Sequence, residues 1–137
     1  MPRFVVDASI ASAWCFPDER TDYTDAVFSA LASSFADAVA PSLWAYEIGN
    51  SVLMGVRRKR ITQPDAEQFL FSLQDLNVGL FGPPSSGELV TLARTHDLTV
   101  YDAAYFSLAR QTGLPLATLD RQLIRAAEAA EHPIFIP

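Results

Sequence analysis

Four of the 16 acidic residues stand where charge is out of keeping with its neighbours. Asp7 ends the apolar run in "RFVVDAS" (Arg3–Ser9), and Glu47 lies one turn into a helical pattern in "LWAYEIGNSVLM". Asp102 interrupts "LTVYDAAYFSLA", and Asp120 directly follows "LPLATL". Most other acids occupy plainly polar text such as "PDERTDYTD". Carboxylates gathered in one apolar place repel one another unless something positive lies between them. Hard divalent cations fill that role with oxygen ligands, and Mg²⁺ or Mn²⁺ suits such a set. Neutral polar groups flank the acids: Ser9 two after Asp7, Thr118 two before Asp120, and Asn50 three after Glu47, on one helix face with it.

Each residue alone has a plainer reading. Asp7, Asp102 and Asp120 suit helix N-caps, where an acid also complements the helix dipole. Glu47 could be a partly exposed helix residue or the partner of an arginine. Ser9 and Thr118 could serve local turns. The four acids argue for chemistry only if the fold assembles them.

Short apolar runs alternate with longer helical patterns along the chain, the mark of an α/β fold with a central parallel sheet of four or five strands. The pattern predicts strands at Arg3–Val6, Ala38–Ala40, Val78–Phe81, Leu116–Thr118 and Ile134–Ile136. Helices are expected near Ser9–Cys15, Thr24–Ser34, Leu43–Lys59, Pro64–Leu76, Gly87–His96, Ala103–Thr112 and Arg121–Ala130. "TQPD" (Thr62–Asp65) and "SSGE" (Ser85–Glu88) carry helix-start signals, and "QTG" (Gln111–Gly113) before Pro115 a helix stop. In such a sheet the strand C-termini and the following helix N-termini share one edge, where ligands bind. Asp7, Asp102 and Asp120 fall at that edge. Glu47, from the helix after the second strand, projects into the same crevice, so all four are expected within reach of a common cation.

The whole chain narrows the classes further. Its 137 residues suit a single domain spanning 1–137, and 50% hydrophobic content with 19% charge excludes disorder. No run is long and apolar enough for a membrane span, no secretory signal opens the chain, and a cytoplasmic setting is expected. One cysteine excludes an internal disulfide and a Cys-rich zinc site. A net charge of −6 argues against bulk electrostatic binding of nucleic acid, yet bound cations reverse the sign of an acidic site. His96 and His132 give no zinc spacing, and no glycine-rich phosphate loop is present. A haloacid-dehalogenase-type phosphatase needs a second Asp where Ser9 stands. A phosphorelay receiver needs a lysine after a late strand, and the only lysine is Lys59.

Taken in series, "VVDAS", "APSLWAYEIGNSV", "LTVYDAAYFSLA" and "LPLATLD" resemble the PIN domain, in particular the VapC-type toxins of toxin–antitoxin pairs. The resemblance spans nearly the whole chain. It implies a three-layer fold and an endoribonuclease dependent on Mg²⁺ or Mn²⁺, hydrolysing RNA phosphodiester bonds with metal-activated water. Carried across residue by residue, the catalytic, metal-holding quartet is Asp7, Glu47, Asp102 and Asp120, supported by Ser9, Asn50 and Thr118. It also implies an antitoxin partner and a homodimer. "RRKR" (Arg57–Arg60) offers charge for an RNA backbone, although cations ending a helix need no further reason. The other class of reading is a protein-binding module, or an RNA-processing nuclease outside any toxin pair. "AEQFLFSLQDL" (Ala66–Leu76) is apolar at Phe69, Leu70, Phe71, Leu73 and Leu76, a wider stripe than one buried face needs.

Overall fold

The computed structural model describes every residue from Met1 to Pro137. The elements run β1 (Arg3–Val6), α1 (Ala8–Cys15), a single 3-10 turn (Pro17–Glu19), α2 (Asp22–Ala32), β2 (Asp37–Pro41) and α3 (Leu43–Arg57). They continue with α4 (Gln63–Gln74), β3 (Gly79–Phe81), α5 (Ser86–His96), α6 (Val100–Thr112), β4 (Leu116–Ala117) and α7 (Arg121–Ala129). The strands form one parallel sheet in the order β3-β2-β1-β4, with Val5 opposite both Val39 and Leu116. Parallel strands need crossover helices, and right-handed crossovers put α1 to α4 on one face and α5 and α6 on the other. The expected three-layer α/β architecture is what forms.

β1 is central because it is the most apolar strand: Phe4, Val5 and Val6 are all fully buried. A strand covered on both faces reads as a continuous hydrophobic run. The chain leaves β1 for one face of the sheet and returns through β4 from the other. The crevice beyond the C-terminal ends of β1 and β4 is therefore the switch point where such sheets bind ligands.

Helix starts follow the local signals. Thr62, Ser85 and Thr99 accept the backbone N–H three residues on, at 3.2, 3.2 and 3.1 Å. Thr21 and Thr24 cap each other reciprocally and begin α2 earlier than expected. Gly113 ends α6 in the left-handed region at φ 70°, as the Gln-Thr-Gly signal predicts.

Two expectations need correction. The fifth strand, Ile134–Ile136, is reduced to one parallel bridge between Ile134 and Leu116. Pro133 and Pro137 bracket it, and neither can donate to a ladder. Side chains hold the segment instead: Phe135 stacks on Phe4 with ring centroids 3.9 Å apart, and Tyr23 donates to the Phe135 carbonyl at 2.8 Å. The second correction concerns α6, which begins at Val100 rather than Ala103. Thr99 is its cap, so Asp102 is spared that task.

Candidate active site

Asp7 occupies the turn from β1 into α1 and is 5% exposed. Its Oδ2 accepts from Ser9 Oγ at 2.6 Å, from Thr118 Oγ1 at 2.9 Å and from the Ser9 backbone N–H at 3.4 Å. All three bonds fall on one oxygen, leaving Oδ1 uncommitted. Burial pushes the carboxyl up from its ordinary 3.8 to about 6; the Ser9 and Thr118 hydroxyls pull against this, and the charge of Glu47 adds to it.

The β4–α7 turn is stitched to the β1–α1 turn through the same hydroxyls. Ser9 Oγ accepts the Leu119 N–H at 3.0 Å, and Thr118 Oγ1 accepts the Asp120 N–H at 3.0 Å. Thr118 is 3% exposed, so it has no solvent to fall back on. Asp120 is the N-cap of α7, its Oδ1 accepting from Gln122 and Leu123 at 2.9 and 3.0 Å. Its plainer reading therefore holds, but Oδ2 remains outside that cap.

Asp102 sits in the first turn of α6. Burial raises it to about 6, followed by the charges of Asp120 and Asp7, with the Thr99 hydroxyl opposing. Glu47, half-buried on α3, is raised by burial first and by the charge of Asp102, and lowered by a bond from Tyr105. These influences link all four acids: Glu47 with Asp7 and Asp102, Asp7 with Asp102, and Asp102 with Asp120. Each of the four acids thus feels the charge of at least one other across the C-terminal edge of the sheet. They are not closed up as ready ligands, since no three acid, imidazole or thiol groups stand in metal-binding arrangement.

Of the supporting residues, Ser9 and Thr118 join the acids and Asn50 does not. Asn50 lines a separate cleft with Ser12 and Arg58, and no side-chain bond ties it to Glu47. In "RRKR", Arg60 is committed to Asp18 and Glu19 at 2.9 and 2.8 Å and lies over the Phe16 ring at 4.0 Å.

Sequence reasoning missed Tyr105. Its hydroxyl donates to Glu47 Oε1 at 2.7 Å, and the residue is fully buried. Burial and the charges of Glu47 and Asp7 hold that hydroxyl far above its ordinary range, so it stays a donor. A tyrosine in an apolar helix reads as core. The usable signal was its position three after Asp102, on the same face of α6.

Residues 4–129 match the PIN domain family. Ribonuclease VapC3 of Pyrobaculum aerophilum is 33% identical over 135 residues, covering 96% of this chain and 99% of that protein. Exonuclease VapC9 of the same organism is 33% identical over 88 residues, 64% of this chain and 65% of that one. The crystal structure of PAE2754 from Pyrobaculum aerophilum superposes with a TM-score of 0.72 at 26% identity, covering 91% of this chain and 79% of that one. A parallel sheet with acids at its switch point, a family match across almost every element and a full-length relative one-third identical lead to one assignment: the chain belongs to the PIN-domain family and is of VapC type.

Proposed function

We propose that this protein is a Mg²⁺- or Mn²⁺-dependent endoribonuclease, the toxin of a toxin–antitoxin pair. The observation that carries the reading is the electrostatic coupling of Asp7, Glu47, Asp102 and Asp120 in one crevice. The donor set fits a hard divalent ion: every donor is a carboxylate oxygen, with no imidazole or thiol among them. In Asp7, Glu47 and Asp120, every protein hydrogen bond falls on one oxygen, so the other is available. A divalent cation held by the four supplies Lewis acidity toward a phosphoryl oxygen and makes water more acidic. The chain's own share is positioning: Ser9 and Thr118 fix Asp7, Tyr105 fixes Glu47, and the α7 cap fixes Asp120.

The named relatives include both a ribonuclease and an exonuclease, so the substrate in the test is a circular single-stranded RNA. Cleavage of the circle is expected with Mg²⁺ or Mn²⁺, with none in EDTA and none by Asp7→Asn. Full activity in EDTA or in Asp7→Asn overturns the mechanism. Attack on linear RNA alone reassigns the protein as an exonuclease.

A groove of about 500 Å³ between α3 and α4 favours the partner half of the reading. Trp44, Ile48, Leu70, Leu73 and Val78 line it, and Phe71, also on α4, is 70% exposed. Such a groove suits the apolar face of an antitoxin helix, or a homodimer seam. No helix is long and apolar enough to cross a membrane, consistent with work in the cytoplasm on RNA. A gene lacking a small neighbouring reading frame moves the protein to RNA processing outside a toxin pair. A groove that binds protein while the acids cleave nothing leaves only a binding module.

A further inference from the structure

A second cleft, of about 300 Å³, lies in the seam between α1 and α3. It is polar, unlike the groove between α3 and α4. Ser12, Asn50, Ser51 and Arg58 line it, with Glu19 and Arg60 at one side. We propose that this cleft is a binding subsite for the phosphodiester backbone of single-stranded RNA running away from the four acids; the proposal rests on the nuclease reading above.

Helical spacing connects the two sites. On α3, Glu47 is followed at three, four, seven and eleven residues by Asn50, Ser51, Met54 and Arg58, which is one face of a helix. On α1, Ser12 follows Ser9 by three and so continues the face that holds Asp7. The cleft thus begins one turn, about 5 Å, from the acidic crevice and reaches about 17 Å along α3 to Arg58. Both helices start at the same sheet edge and run in the same direction, so the cleft lies along the seam that leads away from the acids.

Close approach keeps the seam shaped. A Cβ on Gly55 would lie 2.5 Å from the Phe16 ring, so only glycine lets that ring pack against α3 and floor the cleft. Arg60 lies over this ring, 4.0 Å from its centroid, and is shared between Asp18 at 2.9 Å and Glu19 at 2.8 Å. Arg58 enters none of the chain's ion pairs, so its guanidinium is free to bond a ligand. Beside the Glu19–Arg60 pair, the other polar lining groups, two hydroxyls and an amide, are neutral. A free guanidinium among neutral donors is the chemistry of phosphate recognition without base choice.

The test measures cleavage kinetics and binding together. Arg58→Ala in the otherwise intact protein is expected to raise KM several-fold at unchanged kcat, for RNAs of any sequence. In an Asp7→Asn background, where the RNA survives, anisotropy with a labelled mixed-sequence RNA follows affinity against salt. Adding Arg58→Ala there is expected to lower the salt slope by about 0.7, one phosphate contact on a single strand. Asn50→Asp, which sets a carboxylate in the cleft, is expected to raise KM further. Arg125→Ala, exposed on α7 outside the cleft, is expected to change neither quantity. Unchanged KM and slope in Arg58→Ala, with Asp7→Asn still inactive, overturn the subsite and leave the nuclease standing. An equal loss in Arg125→Ala overturns it too, because net charge alone then explains the effect. If the intact protein neither binds nor cuts RNA, both readings fall.

Discussion

Tyr105 on α6 and Glu47 on α3, 58 positions apart, are joined by a 2.7 Å hydrogen bond whose donor is buried and whose acceptor is half-buried. The bond spans the helices that carry two of the four acids. Tyr105→Phe removes only the hydroxyl. Glu47 reaches solvent and can rehydrate, so the loss of stability is expected at about 1 to 2 kcal/mol by urea titration. The freed carboxylate is expected to need several-fold more Mg²⁺ for half-maximal cleavage. An unchanged Mg²⁺ requirement would mean that the tyrosine serves packing alone.

Asp7→Asn keeps the shape of the side chain and an oxygen for Ser9 and Thr118 while removing a buried charge. Cleavage is expected to vanish. In chelator at pH 7.5 the variant is expected to melt higher than the intact protein, by an amount worth about 1 to 3 kcal/mol. A lower melting temperature would show that the carboxylate stabilises the metal-free fold.

The pH dependence has a definite sign. Asp7 titrates at about 6 in the folded state against an ordinary 3.8, so the folded chain holds its proton more tightly. Its contribution to stability is complete below pH 3.8 and is lost as pH rises through about 6. For a group this buried the full effect is about 3 kcal/mol. Asp102 is shifted to about 6 in the same sense but is partly exposed and contributes less. In EDTA, the gain in stability of Asp7→Asn over the intact protein is therefore expected to grow between pH 4 and pH 7. A gain that stays flat across this range counts against a protonated, buried Asp7.

Thr118→Val is nearly isosteric and strips two bonds at once. Asp7 Oδ2 loses a donor and the Asp120 N–H loses its acceptor. Destabilisation of about 2 kcal/mol is expected from leaving such groups unpaired. Measured loss below about 0.5 kcal/mol would indicate that water replaces the hydroxyl.

The apolar stripe of α4 divides into two roles. Phe69 packs against the core, whereas Phe71 is 70% exposed. Phe71→Ser is expected to fold normally and to weaken capture of the antitoxin. Phe69→Ser is expected to lower stability before any effect on binding is visible. Normal antitoxin affinity in a well-folded Phe71→Ser protein removes Phe71 from the interface.

Strand and helix succession was legible because apolar runs and caps are local properties. Phe4 to Val6 announces a buried strand, and Thr62 and Ser85 announce helix starts. What escaped was decided by distant parts of the chain. Ile134 has the composition of a strand, yet flanking prolines leave it a single bridge. Asn50 shares a helix face with Glu47, but the seam with α1 draws it to another cleft. A common edge for Asp7, Glu47, Asp102 and Asp120 could be argued from the sheet, whereas for Tyr105 only its spacing from Asp102 was legible, not its partner. Nothing in an apolar helix says which hydroxyl will meet a carboxylate 58 residues away.

The pairing of β1 with β4 has a consequence for synthesis. Val5 and Val6 emerge from the ribosome 111 residues before their partners Leu116 and Ala117. Asp7 waits equally long for Thr118, and the cap that fixes Asp120 follows only with Gln122 and Leu123. A nascent chain halted between Asp102 and Thr118 carries Asp7, Glu47 and Asp102 without the clasp that sets Asp7. The crevice is therefore set only after the segment from Thr118 to Leu123 has been made, long after Asp7 and Glu47.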